Sequence, residues 1–202
     1  MNHRSDEKKK HTDLTEESKQ VEAIAKQVHA QLKVLGEDPN RDGLLKTPER
    51  VARTQLFLTQ GYQQDAVQTM RDALFEETYD DIITVKDIEF YSLCEHHMVP
   101  FYGRVHIAYI PNGQIVGLSK LPRVVDIYAR RLQVQERLTQ QIRGAIDEAL
   151  APKGCAVLVE ATHLCMAMRG VQKNGSFTQT ISTSGVLNDT ERRKELTQLL
   201  FR

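Results

Sequence analysis

Residues 154–168 read GCAVLVEATHLCMAM, and the fold turns on this stretch. It is a long β-rich run opened by Gly154. Ser176 to Ser184 reads as its antiparallel partner, polar on both faces. Working outward, Val105, Ile107 and Tyr109 alternate with Arg104 and His106, the period of a half-buried strand. Ile83 and Val85 alternate in one register and Ile88 and Phe90 in the other, so a bulge is expected near Lys86-Asp87. Asn112-Gly113 after Pro111 signals a turn into a short strand at Ile115-Val116. Between the two groups of strands lie two helices. One is capped by Ser119 with Pro122 in its first turn, and the other runs from about Val134 to Leu150. Antiparallel strands separated by a helical pair indicate an α+β fold, not a doubly wound one.

The chain before Ile82 is helical. Asp13 with Glu16 resembles a capping box. Val21, Ile24, Ala25, Val28 and Leu32 then recur at helical spacing, and Gly36 ends the helix. Thr47-Pro48 opens a second helix carrying Val51, Leu56 and Phe57. Asp65 to Leu74 adds a short third. After the last strand, Asn188 with Glu191 opens a final helix containing Leu196, Leu199 and Leu200. The expected organisation is a disordered charged tail at 1–12, an N-terminal helical region at 13–78 and a sheet-bearing domain at 79–202.

The chain has 202 residues, 40% hydrophobic and 27% charged, the composition of an ordinary soluble protein. No apolar run approaches the roughly 20 residues of a membrane span, and Met1 to Lys10 is polar, so neither a membrane protein nor a secreted precursor is expected. Lys+Arg and Asp+Glu are 27 each. That balance argues against general nucleic-acid binding, which calls for a basic excess. Three widely spaced cysteines do not make a disulfide framework, so a cytoplasmic setting with reduced thiols is expected.

Cys94-Glu95-His96-His97 places a thiol and an imidazole in C-x-x-H spacing, close enough to reach one ion around a tight turn. Such a pair suits Zn²⁺ in a tetrahedron of N, S and O donors. His163 and Cys165 stand two residues apart in the β-rich run and would face the same side of a strand. Three protein ligands plus water make a catalytic zinc site and four make a structural one. Cys94, His97 and Cys165 are the three candidates, leaving His96 and His163 for proton transfer. If either histidine ligates instead, the ion is structural, and the residues alone leave this open. Cys155 lies ten residues from Cys165 and reads as a small buried apolar residue. His3, His11, His29 and His106 read as surface or satisfied core residues.

Ser119-Lys120 at a helix start, with Arg123 one turn on, is chemistry for an anion. Arg169 and Lys173 follow the metal run, and Arg50 sits in the second helix. No Gly-rich phosphate loop occurs, so phosphates would be gripped by side chains and a helix end. Gln135-Glu136 opens the longer helix. A carboxylate there could accept two N–H bonds from an amide-plus-amine edge such as guanine's, and Gln can both donate and accept.

Four separated segments carry a resemblance: Cys94-Glu95-His96-His97, Gly117-Leu118-Ser119-Lys120, Gln133 to Thr139, and His163 to Gly170. Together they closely resemble zinc-dependent GTP cyclohydrolase I, from about Thr47 to the C-terminus. The resemblance implies the tunnelling fold, an antiparallel sheet with helices packed on one face, here preceded by the N-terminal helical region. It implies conversion of GTP and water to formate and 7,8-dihydroneopterin triphosphate, the first step of tetrahydrofolate and pterin synthesis. It implies a homo-oligomer, typically a decamer of two stacked pentamers, with active sites between subunits. By motif match, Cys94, His97 and Cys165 would hold zinc, His163 would protonate the guanine imidazole ring, and His96 would assist. Gln135 and Glu136 would hold the guanine edge. Ser119, Lys120, Arg123 and Arg169, with Arg50 from a neighbour, would hold ribose and triphosphate.

Two other functions compete. One is a non-catalytic zinc-stabilised binding module. The other is a different tunnelling-fold enzyme acting on a pterin or deazapurine. Relatives of that second kind use a Cys nucleophile without zinc or three His ligands, and the Cys94, His97, Cys165 set argues against both. A zinc nucleobase deaminase would show H-x-E with P-C-x-x-C, which does not fit.

Overall fold

The structure, a computed structural model, describes residues 15–192 and Lys194. The expected tail, Asp13 and the leucines of the expected final helix lie outside the described residues. The chain divides between Phe57 and Leu58 into two compact units.

The first unit holds helix α1 (Glu16–Val34) and most of α2 (Thr47–Thr59). Thr15 caps α1, its hydroxyl accepting the Ser18 amide at 3.3 Å. At the other end the Gly36 amide bonds Lys33 O and the Glu37 amide bonds Leu32 O, both at 3.0 Å. This is a Schellman closure, and it needs a left-handed residue at Gly36, whose φ is 86°. The Gly36 stop therefore forms as read from the sequence.

The second unit is an antiparallel sheet with helices against one face. Its elements are α3 (Ala66–Arg71), β1 (Leu74–Glu76), β2 (Ile83–Cys94), β3 (Pro100–Ile110), β4 (Gln114–Val116) and α4 (Lys120–Ala129). There follow β5 (Leu132–Gln133), α5 (Gln135–Leu150), β6 (Gly154–His163), α6 (Leu164–Ala167) and β7 (Thr178–Gly185). The main sheet has the order β5-β2-β3-β6-β7, and β1 and β4 form a separate two-stranded ribbon. Its pairs are antiparallel except β2 with β5, which touch only at Leu93–Leu132 and Cys94–Gln133. In the central pair, Val105 lies opposite Val159, Ile107 opposite Val157 and Tyr109 opposite Cys155. All six are buried in one cluster with α3, α4 and α5, including Met70, Leu121, Val124, Leu138, Ile142 and Ile146. Burying a Leu or Ile side chain is worth about 1.5–3 kcal/mol, so this layer holds the fold together.

The β2 register does shift between Val85 and Ile88. Asp87 takes φ 59°, and its amide donates to Nδ1 of buried His106 at 3.3 Å. His106 is thus a core histidine that pins the bulge, but it is not the satisfied one expected: its buried Nε2 makes no hydrogen bond among the described residues, with Glu160 Oε2 3.3 Å away.

β7 meets α5 through polar groups. Thr180 takes hydrogen bonds with Gln135 and Thr139, Ser182 accepts from Arg143 at 2.9 Å, and Ser184 donates to Asp147 at 2.7 Å. Arg143 and Asp147 also pair with each other. The spacing explains the ladder. Four helical residues advance about 6 Å and two strand residues about 6.6 Å, so 135/139/143/147 stay in step with 180/182/184. Each such bond contributes only about 0.5–1.5 kcal/mol net. The ladder therefore sets which face of β7 turns inward, while apolar burial against β6 anchors α5. A one-residue slip of β7 would reverse that face.

Several boundaries differ from the sequence reading. The third helix stops at Arg71, and Leu74 begins strand β1, which pairs with β4. Ser119 stands at the α4 N-cap position without making a side-chain cap bond. Asp189, not Asn188, accepts the Glu191 and Arg192 amides at the last helix start, while Asn188 accepts from Thr183. The β-rich run does not reach Met168: β6 ends at His163, opposite Phe101. The next residue of β3 is Pro100, which has no N–H for the ladder, and Leu164, Met166 and Ala167 are good helix formers. Residues 164–167 accordingly wind into α6.

Candidate active site

The site grows from the end of β2. The Glu95 amide donates to Gln133 O at 3.0 Å, which ties the chain to β5 just as it leaves the sheet. The Cys94 amide bonds Val99 O and the Met98 amide bonds Cys94 O, closing a tight loop with Met98 at φ 52°. The loop presents Cys94, His96 and His97 on one side. Cys94 Sγ lies 3.8 Å from His96 Nδ1 and 3.9 Å from His97 Nδ1.

Cys165 comes to the same place by a different route from the one expected. It does not share a strand face with His163, because the strand has ended. The α6 turn carries it beside Cys94 instead. One ligand atom from each of Cys94, His97 and Cys165 lies within 4.8 Å of the others. Zn–S bonds near 2.3 Å and Zn–N bonds near 2.0 Å place tetrahedral donors about 3.3–3.8 Å apart. Two thiols and an imidazole fit such an ion after a closure of about an ångström. Burial and the neighbouring Cys94 sulfur push the Cys165 thiol up. A bound cation reverses that preference, since a coordinating thiol is deprotonated.

Two contacts brace the loop that sequence reasoning did not find. Glu95 and Arg137 form a two-pronged pair at 2.5 and 3.1 Å, fastening the loop to the first turn of α5. The Arg137 guanidinium holds the Glu95 carboxyl below the usual carboxylate range. Arg169 Nη1 lies 3.1 Å from His97 Nε2. Nothing in the local sequence pairs residue 95 with 137; only the parallel β2–β5 contact brings them together.

His163, the last residue of β6, is half-buried. Its ring stacks on Phe101, directly opposite in register, with centroids 4.7 Å apart and planes within 2°. His163 Nε2 lies 2.7 Å from Gln135 Oε1. Burial lowers its basicity, with Glu136 opposing. Gln135 itself is buried, and its amide nitrogen reaches Val159 O, Thr178 O and Thr180 Oγ1 at 3.0, 2.9 and 3.2 Å.

Glu136, Arg169, Ser119 and Arg123 are exposed, and Lys120 is half-exposed at the start of α4. Among the described residues, no hydrogen bond or ion pair links Ser119, Lys120 or Arg123 to the thiol–imidazole cluster. Arg50 is exposed on α2 in the first unit. One chain therefore draws together Cys94, His96, His97, Cys165 and Arg169, joins His163 to Gln135, and leaves the other basic residues on the surface.

Comparison with known proteins accords with this geometry. The family model for GTP cyclohydrolase I matches residues 24–200, starting inside α1 and so earlier than the four motif segments. GTP cyclohydrolase 1 of Chlorobaculum tepidum is 58% identical over 174 residues, covering 86% of this chain and 78% of the relative. That of Bacteroides thetaiotaomicron is 53% identical over 183 residues, covering 91% and 93%. That of Campylobacter concisus is 51% identical over 180 residues, covering 89% and 95%. Identity at this level over 86–91% of this chain and 78–95% of these relatives makes this protein a member of the GTP cyclohydrolase I family.

Proposed function

We infer that this chain is a zinc-dependent GTP cyclohydrolase I, converting GTP and water to formate and 7,8-dihydroneopterin triphosphate. Family membership makes it an enzyme. The observation that carries the metal assignment is the convergence of Cys94, His97 and Cys165 from two separate segments onto one point. Two thiolates and an imidazole are a donor set for zinc, which when bound supplies the charge that lets water attack guanine C8 near neutral pH.

The remaining chemistry belongs to side chains. His163 delivers a proton to N7 as the imidazole ring opens, and His96 assists from the metal loop. Phe101 keeps the His163 ring flat against the sheet end. Glu136 is exposed, and its carboxylate can accept two N–H bonds from the guanine edge. Gln135, expected beside it, is buried and bonded to His163. Lys120 and Arg123, with Ser119, offer charge and donors to the triphosphate, as do Arg169 and, from a neighbouring subunit, Arg50.

Among the described residues, Ser119, Lys120 and Arg123 make no hydrogen bond or ion pair with the thiol–imidazole cluster, which fits sites shared between subunits. β7 supports the same view: it is an edge strand of eight residues, and such an edge is a template for pairing with another copy. We place the enzyme in the cytoplasm as a homo-oligomer, a decamer of two pentamers by resemblance. No described helix is long and apolar enough to cross a membrane.

Incubation of the purified protein with GTP, with and without a chelator, tests the reading. Formate and a pterin that fluoresces after oxidation should appear only without chelator. Zinc in the protein with no formate released would favour the structural module. Light scattering should give a mass many times that of one chain.

A further inference from the structure

The Gln135 side chain is committed at both ends. Its NH₂ has two protons to donate and finds three acceptors within 3.2 Å: two backbone carbonyls and the Thr180 hydroxyl. That leaves Oε1, which can only accept, facing His163 Nε2 at 2.7 Å. The orientation of the amide is therefore not free to flip, and Nε2 of His163 must be the donor in this bond. Thr180 is held in turn by Thr139 at 2.6 Å, and Thr139 donates back to Gln135 O at 2.8 Å, one turn along α5. Among the described residues, His163 Nδ1 has no hydrogen-bond partner, and the ring plane is fixed by Phe101.

We propose that Gln135 is a positioning residue that acts through His163, not a contact to guanine. Its amide, locked into the α5–β7 ladder, holds the ring with Nε2–H turned inward and leaves Nδ1 as the nitrogen that meets substrate; in the imidazolium form Nδ1 carries the proton that N7 receives, and Nε2–H stays on Gln135. A direct guanine contact would require Gln135 to leave a site where it is buried and its amide NH₂ is fully engaged, whereas its neighbour Glu136 is already exposed. The proposal rests on the reading of His163 as the group that moves a proton.

The test compares Gln135→Met, which keeps the side-chain length, with His163→Ala, the double variant and Glu136→Gln, on GTP and on inosine triphosphate, which lacks the 2-amino group. Gln135→Met should keep its zinc and lower kcat about a hundredfold, the order of a misplaced general acid, with KM for GTP little changed. Its preference for GTP over inosine triphosphate should stay as in the parent, while Glu136→Gln weakens that preference. Added to His163→Ala, Gln135→Met should cost nothing more, because both remove one function. Thr180→Val, which removes one anchor and keeps shape, should lower kcat about three- to tenfold, the worth of a single hydrogen bond. A raised KM with collapsed preference in Gln135→Met overturns the proposal in favour of guanine contact. So does a full extra loss in the His163→Ala background, or an unchanged kcat in both Gln135→Met and Thr180→Val while His163→Ala is inactive. Parent-level turnover in His163→Ala would instead remove the proton-transfer reading itself.

Discussion

Cys155 and Cys165 lie ten residues apart, at opposite ends of one continuous run, and meet opposite fates. Cys155 sits where β6 is paired on both sides, opposite Tyr109 and Ser184, and is wholly buried. Burial raises its thiol far above the ordinary range, so it is inert. Cys165 sits just beyond the last β3–β6 pair, half-buried, with a second sulfur and an imidazole at hand. The difference lies not in the residue but in whether the sheet continues around it. A closed lattice of strands leaves room only for packing. Where Pro100 ends the ladder, the chain turns and its side chains become available for chemistry.

This contrast can be broken or sharpened by substitution, beginning with the largest effect. Cys165→Ala and Cys94→Ala should each lose the metal and all measurable turnover, read by metal analysis and formate release; a zinc-loaded, active Cys165→Ala would erase the contrast. His163→Ala should retain zinc and lose about 10²- to 10⁴-fold in kcat. Comparable zinc loss in that variant would count against its role in proton transfer. Cys155→Ser should do the reverse. It buries an unsatisfied hydroxyl, costing about 1–3 kcal/mol in denaturant unfolding, and leaves kcat and zinc content unchanged. The smallest effect belongs to the exposed loop brace. Because Arg137 depresses the Glu95 carboxyl, the pair contributes above the ordinary carboxylate pKa of about 4.3 and loses its contribution as pH falls through the lower folded value. Arg137→Met should therefore narrow the gap in melting temperature between pH 7 and pH 3 slightly, and added salt should mimic it.

Much of the site was legible because its chemistry is written in rare residue types. Cys94, His97 and Cys165 stand out in a chain with few cysteines, and their donor atoms do meet. The route differs: strand alternation would aim Cys165 alongside His163, whereas a helical turn carries it to Cys94. The bulge at Lys86-Asp87 and the stop at Gly36 were also readable, since period and φ are local properties. Strand β1 was not, because Leu74 to Glu76 is too short to show alternation and exists only by pairing with β4.

Local pattern, residue chemistry and motif spacing were enough to decide the α+β class, the helical face of each element and a candidate donor set for a metal. They rest on interactions within a few residues, so they survive being read one window at a time. The partners of Gln135, Glu95 and Phe101 were decided only by packing. Each depends on a partner between 28 and 62 residues away, brought close by strand register and by the match between helical and strand rise. No window along the chain contains that distance, so the folded sheet alone could assign them.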